Sequence, residues 1–214
     1  KSVSLRIQLI NIYSADKRHT TKIEPILREI LALEPGNLQY LSSMAAYYIE
    51  AGQLDKAEAT LRDAIKADPE NVDRHLLLAE FLATRKSVGA AEAELLGAIK
   101  SYPKSYKLRF SLAKLYEQVG AYDKVAQIYR DIIDASSSGI DGLEARNKLA
   151  ELLLKQARAD DARKLIDEVL EENPQDNYGL INKARLNLAQ GNAEDAISAL
   201  RQVLRDQPAS VEAH

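Results

Sequence analysis

The sequence contains no cysteine, which excludes disulfides, thiolate zinc sites and cysteine nucleophiles together. Tryptophan is also absent, and glycine and proline number only 9 and 6 among 214 residues. Strong helix formers such as alanine, leucine, glutamate and lysine remain, with few residues to interrupt them, so an all-α protein is expected. Because 46% of the residues are hydrophobic, the chain can bury a core.

An excess of positive charge is missing as well, since the net charge is −3 and the isoelectric point is about 5.7. Nucleic-acid binding depends on a positive field, so no nucleic-acid partner is expected. No apolar run approaches the roughly 20 residues of a membrane-spanning helix, and the N-terminal stretch lacks a signal-peptide layout. We therefore expect a soluble protein without direct membrane insertion, in the cytoplasm or in the periplasm and cell envelope.

Five of the six prolines are regularly spaced. Their steps are 34, 34, 71 and 34 residues, and the odd step equals two periods plus three residues. A period of this size predicts a stacked array of helix pairs. The prolines that set the period are Pro35, Pro69, Pro103, Pro174 and Pro208.

Placing each of these prolines at position 32 of a 34-residue unit predicts a single array over residues 1–214. Three extra residues fall within 136–142, where serine and glycine predict a flexible loop. The first unit is degenerate, and we expect the chain to be a piece of a longer array. The predicted units are 4–37, 38–71, 72–105, 106–139, 143–176 and 177–210, with a further unit starting at 211–214.

Small residues recur at two positions that were not used to set the register. Position 8 of units two to six is always alanine, and position 20 is alanine or valine. Large apolar residues recur three and four residues away from these sites, which predicts two amphipathic helices in each unit. Glycine at position 15 predicts the turn between them. The small residues are Ala45, Ala79, Ala113, Ala150 and Ala184 at position 8, and Ala57, Ala91, Val125, Ala162 and Ala196 at position 20.

This combination resembles the tetratricopeptide repeat family over residues 4–210. The resemblance implies an all-α, right-handed solenoid of about six helix-turn-helix repeats, whose first helices line a concave groove. The fifth and sixth units are similar in style to long bacterial arrays. The sequence departs from the family at position 4, which never holds tryptophan, and at position 15, where Lys86 and Ala157 replace glycine.

Residues suited to catalysis are few and scattered. The three histidines are too far apart in sequence to share a metal ion from one helical face, and His75 falls at a packing position. Adjacent acids such as Asp160 and Asp161 diverge by about 100° on a helix and do not converge on one atom. We therefore predict no catalytic residue, cofactor or metal, and no enzyme activity.

The resemblance implies that positions 2, 5, 6, 9, 12 and 13 of the first helices face the groove. Position 5 holds Leu76, Phe110 and Ile181, an apolar strip unless packing between repeats covers it. The predicted partner-binding residues are Leu76, Glu80, Lys107, Phe110, Lys114, Asn147, Lys148, Glu151, Tyr178, Ile181, Asn182 and Arg185.

These residues predict a non-catalytic scaffold that binds a protein or peptide partner in its groove. A bacterial cell-envelope, exopolysaccharide or secretion assembly is the expected setting. The family's carboxylate clamp is not expected, because Ser111 stands where its arginine would be. Two alternatives remain: a regulatory or substrate-recruiting appendage of an enzyme whose catalytic domain lies elsewhere, and a self-association module that forms a homodimer.

Overall fold

The computed structural model describes residues 2–136 and 139–206 of the chain. Twelve α-helices and one short 3₁₀ helix, Lys17–Lys22, run through this described part. The α-helices are α1 (Val3–Ala15), α2 (Ile23–Leu33), α3 (Leu38–Glu50), α4 (Leu54–Ala67), α5 (Val72–Arg85), α6 (Val88–Ser101), α7 (Tyr106–Gln118), α8 (Tyr122–Ala135), α9 (Ile140–Lys155), α10 (Ala159–Glu172), α11 (Asn177–Ala189) and α12 (Ala193–Asp206).

The helices form two compact units, Lys1–Leu115 and Tyr116–His214. In the first unit each helix from α1 to α5 packs against its successor, and α3 also contacts α5. In the second unit each helix from α8 to α11 packs against its successor, and α9 also contacts α11. The predicted all-α class of helix-turn-helix repeats is confirmed, while the single array over both units stays a prediction.

Helix ends follow local sequence signals. Four first helices, α3, α5, α7 and α11, begin at the first residue of a predicted unit. The side chain of Asn37 accepts the Gln39 N–H at 3.0 Å, and Asp176 accepts the Gly179 N–H at 2.7 Å, so each satisfies a donor that the helix leaves open. At the other end, α4 stops just before Asp68, because the residue preceding Pro69 is pushed out of helical geometry.

The small residues lie where paired helices approach each other. All ten residues at positions 8 and 20 are buried, with at most 5% of their surface exposed. Large residues fill the space beside them, and four of the five at position 24, such as Leu61 and Ile166, are also buried. Close packing of this kind leaves no room for a larger side chain at positions 8 and 20.

Helix α1 departs from this arrangement. None of its residues is buried, and Leu5 and Ile12 are 61% and 62% exposed. Position 8 of this predicted unit is Asn11, which lies exposed. The following helix, α2, is regular and buries Ile23, Leu27 and Ile30. Its proline is the third helical residue, where the missing N–H would have had no partner inside the helix.

The flexible loop predicted over 136–142 is wrong at its C-terminal end. Residues 140–142 are helical and lengthen α9 to 16 residues. Gly142 is buried against the end of α8, and a Cβ atom there would collide with the carbonyl group of Ser136. The sequence favours a loop locally, but close contact with α8 favours helix. Residues 137–138 and the predicted further unit at 211–214 lie outside the described residues.

Candidate protein-binding surface

In the first compact unit, the predicted partner-binding residues lie on α5 and α7. Three are charged and exposed, and two are apolar and half-buried. The ammonium group of Lys107 pairs with the carboxylate of Asp73, so α7 is tied to α5 by an ion pair on this face. The exposed residues are Glu80, Lys107 and Lys114, and the half-buried residues are Leu76 and Phe110.

In the second unit, α9 and α11 carry seven predicted residues, of which three are buried. Ile181 packs with Leu180 and Val203, so packing covers it instead of leaving it open to a partner. Asn147 and Asn182 are buried as well. The residues that remain at the surface are Lys148, Tyr178 and Arg185, which are exposed, and Glu151, which is half-buried.

The two buried asparagines connect α9 with α11. Asn147 donates through Nδ2 to Asp176 Oδ1 at 2.9 Å, and Asn182 donates through Nδ2 to the Asn147 carbonyl at 3.0 Å. Arg185 Nη1 then donates to Asn182 Oδ1 at 3.4 Å. Buried amides that bond in this way fix the relative position of two helices, and here they also orient an exposed guanidinium group.

Ion pairs lie at the surface where α9 and α11 meet. Glu151 Oε1 lies 2.9 Å from Lys155 Nζ and 3.7 Å from Arg185 Nη1. Burial disfavours the Glu151 carboxylate, but the hydrogen bond from Lys155 and the charges of Lys155, Arg185 and Lys148 outweigh it and lower its pKa. Lys148 also approaches Glu144 at 3.6 Å. The face is therefore highly charged, with both signs present.

Tyr129 lies at position 24 of its unit and was not among the residues predicted to have a function. Its ring is buried, and its hydroxyl group donates to Glu117 Oε1 at 2.9 Å. Burial, and then the negative charges of Glu117, Glu144 and Glu151, raise the pKa of this phenol. The sequence feature that could have indicated this role is the hydroxyl group of a tyrosine at position 24, where the other units carry leucine or isoleucine.

His75 contacts neighbouring residues of the fold through both ring nitrogens and the ring face. Its Nδ1 lies 2.9 Å from Glu94 Oε1, its Nε2 lies 3.3 Å from the Pro69 carbonyl, and its ring stacks at a tilt against Tyr102.

Across residues 2–136 and 139–206, no group of three or more histidine, aspartate and glutamate side chains is arranged to hold a metal ion. None of the helices described combines the length and apolar character needed to span a membrane.

Comparison with protein families agrees with the helix-pair geometry. One tetratricopeptide repeat model matches residues 147–211, and a second matches residues 16–79 and 48–105. The chain belongs to the tetratricopeptide repeat family. This fold supports a protein–protein interaction scaffold, and tetratricopeptide repeat proteins are generally non-catalytic interaction modules.

Solved structures of tetratricopeptide repeat proteins superpose on most of the chain. Yeast Tom70 has a TM-score of 0.69 and 19% identity over 98% of this chain and 44% of its own. PilW, described as a type IV pilus biogenesis factor, has a TM-score of 0.59 and 18% identity over 99% and 96%. YrrB, described as having an unusual peptide-binding site, has a TM-score of 0.53 and 14% identity over 87% of this chain and 95% of its own. A search of curated proteins finds no match.

Proposed function

We propose that this protein is a non-catalytic scaffold that binds a partner polypeptide along the exposed faces of its first helices. The observation that supports this most strongly is the division of first helices such as α5 and α11 into a buried face and an exposed face. In α5, Leu78 and Ala79 are buried while the neighbouring Glu80 is exposed, and in α11, Ala184 is buried while Arg185 is exposed. Ordered helical faces with charged and apolar groups are suited to docking a peptide segment.

A bacterial cell-envelope assembly is the setting that we propose. The pilus biogenesis factor PilW shares the fold, and YrrB shows that the fold accommodates a peptide site in another protein. Exopolysaccharide and secretion assemblies belong to the same proposal. Scaffolds in such assemblies need surfaces that recognise a protein segment, which the charged first helices provide.

Self-association is a second candidate, because α1 exposes several large apolar side chains. Leu5, Leu9 and Ile12 are exposed, and Arg6 is the one charged residue of this helix, where it pairs with Glu29 at 2.8 Å. A concentration series in multi-angle light scattering tests this alternative. A monomeric mass at every concentration would remove it, whereas a dimer lost in Ile12→Glu would support it.

The scaffold proposal is tested with peptides selected from a random phage-displayed library on the full chain. We expect these peptides to bind the wild type and to lose binding to the double variant Phe110→Glu, Arg185→Glu. The matched control is Ile197→Glu, Arg201→Glu, which introduces the same charges on the exposed surface of the second helix α12.

Circular dichroism checks that both variants fold, and Lys114→Glu, at an exposed position of α7, serves if the Phe110 substitution disrupts packing. Equal affinity of the peptides for the two double variants would contradict the proposal. Failure to select any peptide on the wild type would contradict it as well.

A further inference from the structure

The exposed face of α11 contains two large apolar residues with an arginine between them. Tyr178 is 68% exposed and Leu188 is 56% exposed, although the other large apolar residues of this helix are buried. Ten residues separate them, which corresponds to about 15 Å along a helix, within a sector of about 80°. Arg185 lies in this sector, about 10 Å from the level of Tyr178 and about 5 Å from that of Leu188.

The charge on this face is not balanced. Arg185 is the charged residue of α11 that lies on this face, and the helix contains no acidic residue. The carboxylate that Arg185 approaches within α9 is that of Glu151, at 3.7 Å, and this carboxylate already binds Lys155 at 2.9 Å. Arg185 therefore makes a long contact to a shared acceptor, and 44% of its side chain stays exposed. A carboxylate from a partner would give the guanidinium group a closer acceptor.

The arginine is also oriented before any partner binds. Its Nη1 donates to the buried Asn182, which in turn donates to the Asn147 carbonyl on α9. A side chain held by a buried amide loses less rotamer freedom on binding than a freely solvated arginine. Tyrosine and arginine are also enriched among the residues that dominate binding energy in protein interfaces.

We propose that Tyr178, Arg185 and Leu188 form an acidic-peptide site, which docks a polypeptide segment with an aspartate or glutamate between two apolar residues. The carboxylate pairs with Arg185, and the apolar residues cover Tyr178 and Leu188. The carboxylate is closer to the Leu188 anchor, as the spacing on α11 requires. This inference rests on the proposed scaffold function and assigns it a partner chemistry.

The experiment is a paired selection from a 12-residue random phage-displayed library on the full chain. The wild type enriches peptides with an acidic residue flanked by apolar residues. The Arg185→Glu variant enriches lysine or arginine at that place. Lys183→Glu is the matched control: it makes the same change of charge on an exposed residue of α11 about 160° away around the helix, and it retains the acidic preference.

Synthetic peptides from the wild-type selection are then titrated by fluorescence anisotropy. Arg185→Glu weakens their binding by about tenfold or more, and exchanging the peptide's acidic residue for lysine restores binding to this variant. Tyr178→Ala and Leu188→Ala each weaken binding by about fivefold or more without altering the charge preference.

Three results would overturn the acidic-peptide site. They are the absence of acidic enrichment on the wild type, the same consensus on Arg185→Glu, and equal losses in Lys183→Glu and Arg185→Glu. If selected peptides lose binding in Lys114→Glu and not in Arg185→Glu, the scaffold function stands and this site is rejected. If the wild type selects no peptide, both proposals fail.

Discussion

Helices α1 and α9 both depart from the repeat pattern, yet with opposite consequences. Helix α1 keeps the 13-residue length of α3, α7 and α11 but buries no residue. Helix α9 has 16 residues and buries eight of them. The two helices differ at position 8, which is the exposed Asn11 in α1 and the buried Ala150 in α9. They also differ in their neighbours, because α1 packs against α2 and the 3₁₀ helix whereas α9 packs against α8, α10 and α11. A small residue at the point of closest approach matters more than helix length, because extra turns can extend past a contact but extra bulk cannot fit inside it.

The largest expected effect comes from adding the same side chain to both helices. Ala150→Arg places bulk and charge in a closed contact, so the free energy of unfolding should fall by about 4 kcal/mol. Asn11→Arg changes an exposed residue and should stay within about 0.5 kcal/mol of the wild type. Urea denaturation followed by circular dichroism measures both. Similar losses in the two variants would break the comparison.

A smaller effect is expected where α9 begins. Gly142→Ala adds a Cβ atom that collides with the Ser136 carbonyl, so we expect a loss of about 1 to 3 kcal/mol in the free energy of unfolding. Gly97→Ala is the control. Gly97 lies inside α6, and a Cβ atom added there would meet no neighbouring side chain or helix within 4 Å. The control should gain about 0.5 to 1 kcal/mol from helix propensity. If thermal unfolding shows that both variants shift the melting temperature equally and in the same direction, the close contact between Gly142 and Ser136 would be contradicted.

Tyr129 provides a prediction that depends on pH. Its phenol ionises near pH 10 in the unfolded chain, and burial together with nearby carboxylates raises its pKa in the folded protein. The stability that its neutral form contributes is complete below about pH 10 and declines as the pH rises further.

Tyr129→Phe should lose about 1 kcal/mol in the free energy of unfolding near pH 7, through the missing hydrogen bond to Glu117. It should also lose less stability than the wild type between about pH 9 and about pH 11, the range in which an ordinary phenol ionises. Urea midpoints at both pH values measure this difference. A steeper alkaline loss in the variant would be the opposite of the expected sign.

The smallest effect is expected at the end of α9. Ala157 occupies position 15 with φ of 58°, a left-handed conformation that glycine adopts in three other units. Ala157→Gly should therefore raise the free energy of unfolding by about 0.5 to 1 kcal/mol. The preceding residue, Gln156, has φ of −88°, so Gln156→Gly should lower it by about 0.5 kcal/mol. Differential scanning calorimetry that finds Ala157→Gly less stable would show that the alanine is not strained.

Much of the fold could be predicted from the sequence because the repeat places the same signals at the same positions. The spacing of the prolines, supported by the recurring alanines, located the starts of α3 and α5 to the residue. The start of α9 could not be predicted, since the close approach of Gly142 to the carbonyl group of Ser136 is visible only in the folded structure. The amino-acid composition of residues 136–142 does not indicate that contact.

The candidate surface was less predictable than the fold. Exposed residues such as Arg185 follow from position within the helix, but the burial of Asn182 depends on its hydrogen bond to the Asn147 carbonyl in the neighbouring repeat. The role of Tyr129 depends on carboxylates from α7 and α9 that sequence position alone does not bring together. Contacts between repeats therefore determine which groove positions are available.

Amide hydrogen exchange of the full chain, with and without a selected peptide, tests the central claim that the first helices bind while the second helices support them. We expect the peptide to slow exchange in α9 and α11 and to leave α10 and α12 unchanged, because the predicted binding residues all lie on first helices. Slower exchange confined to α10 and α12 would contradict the account.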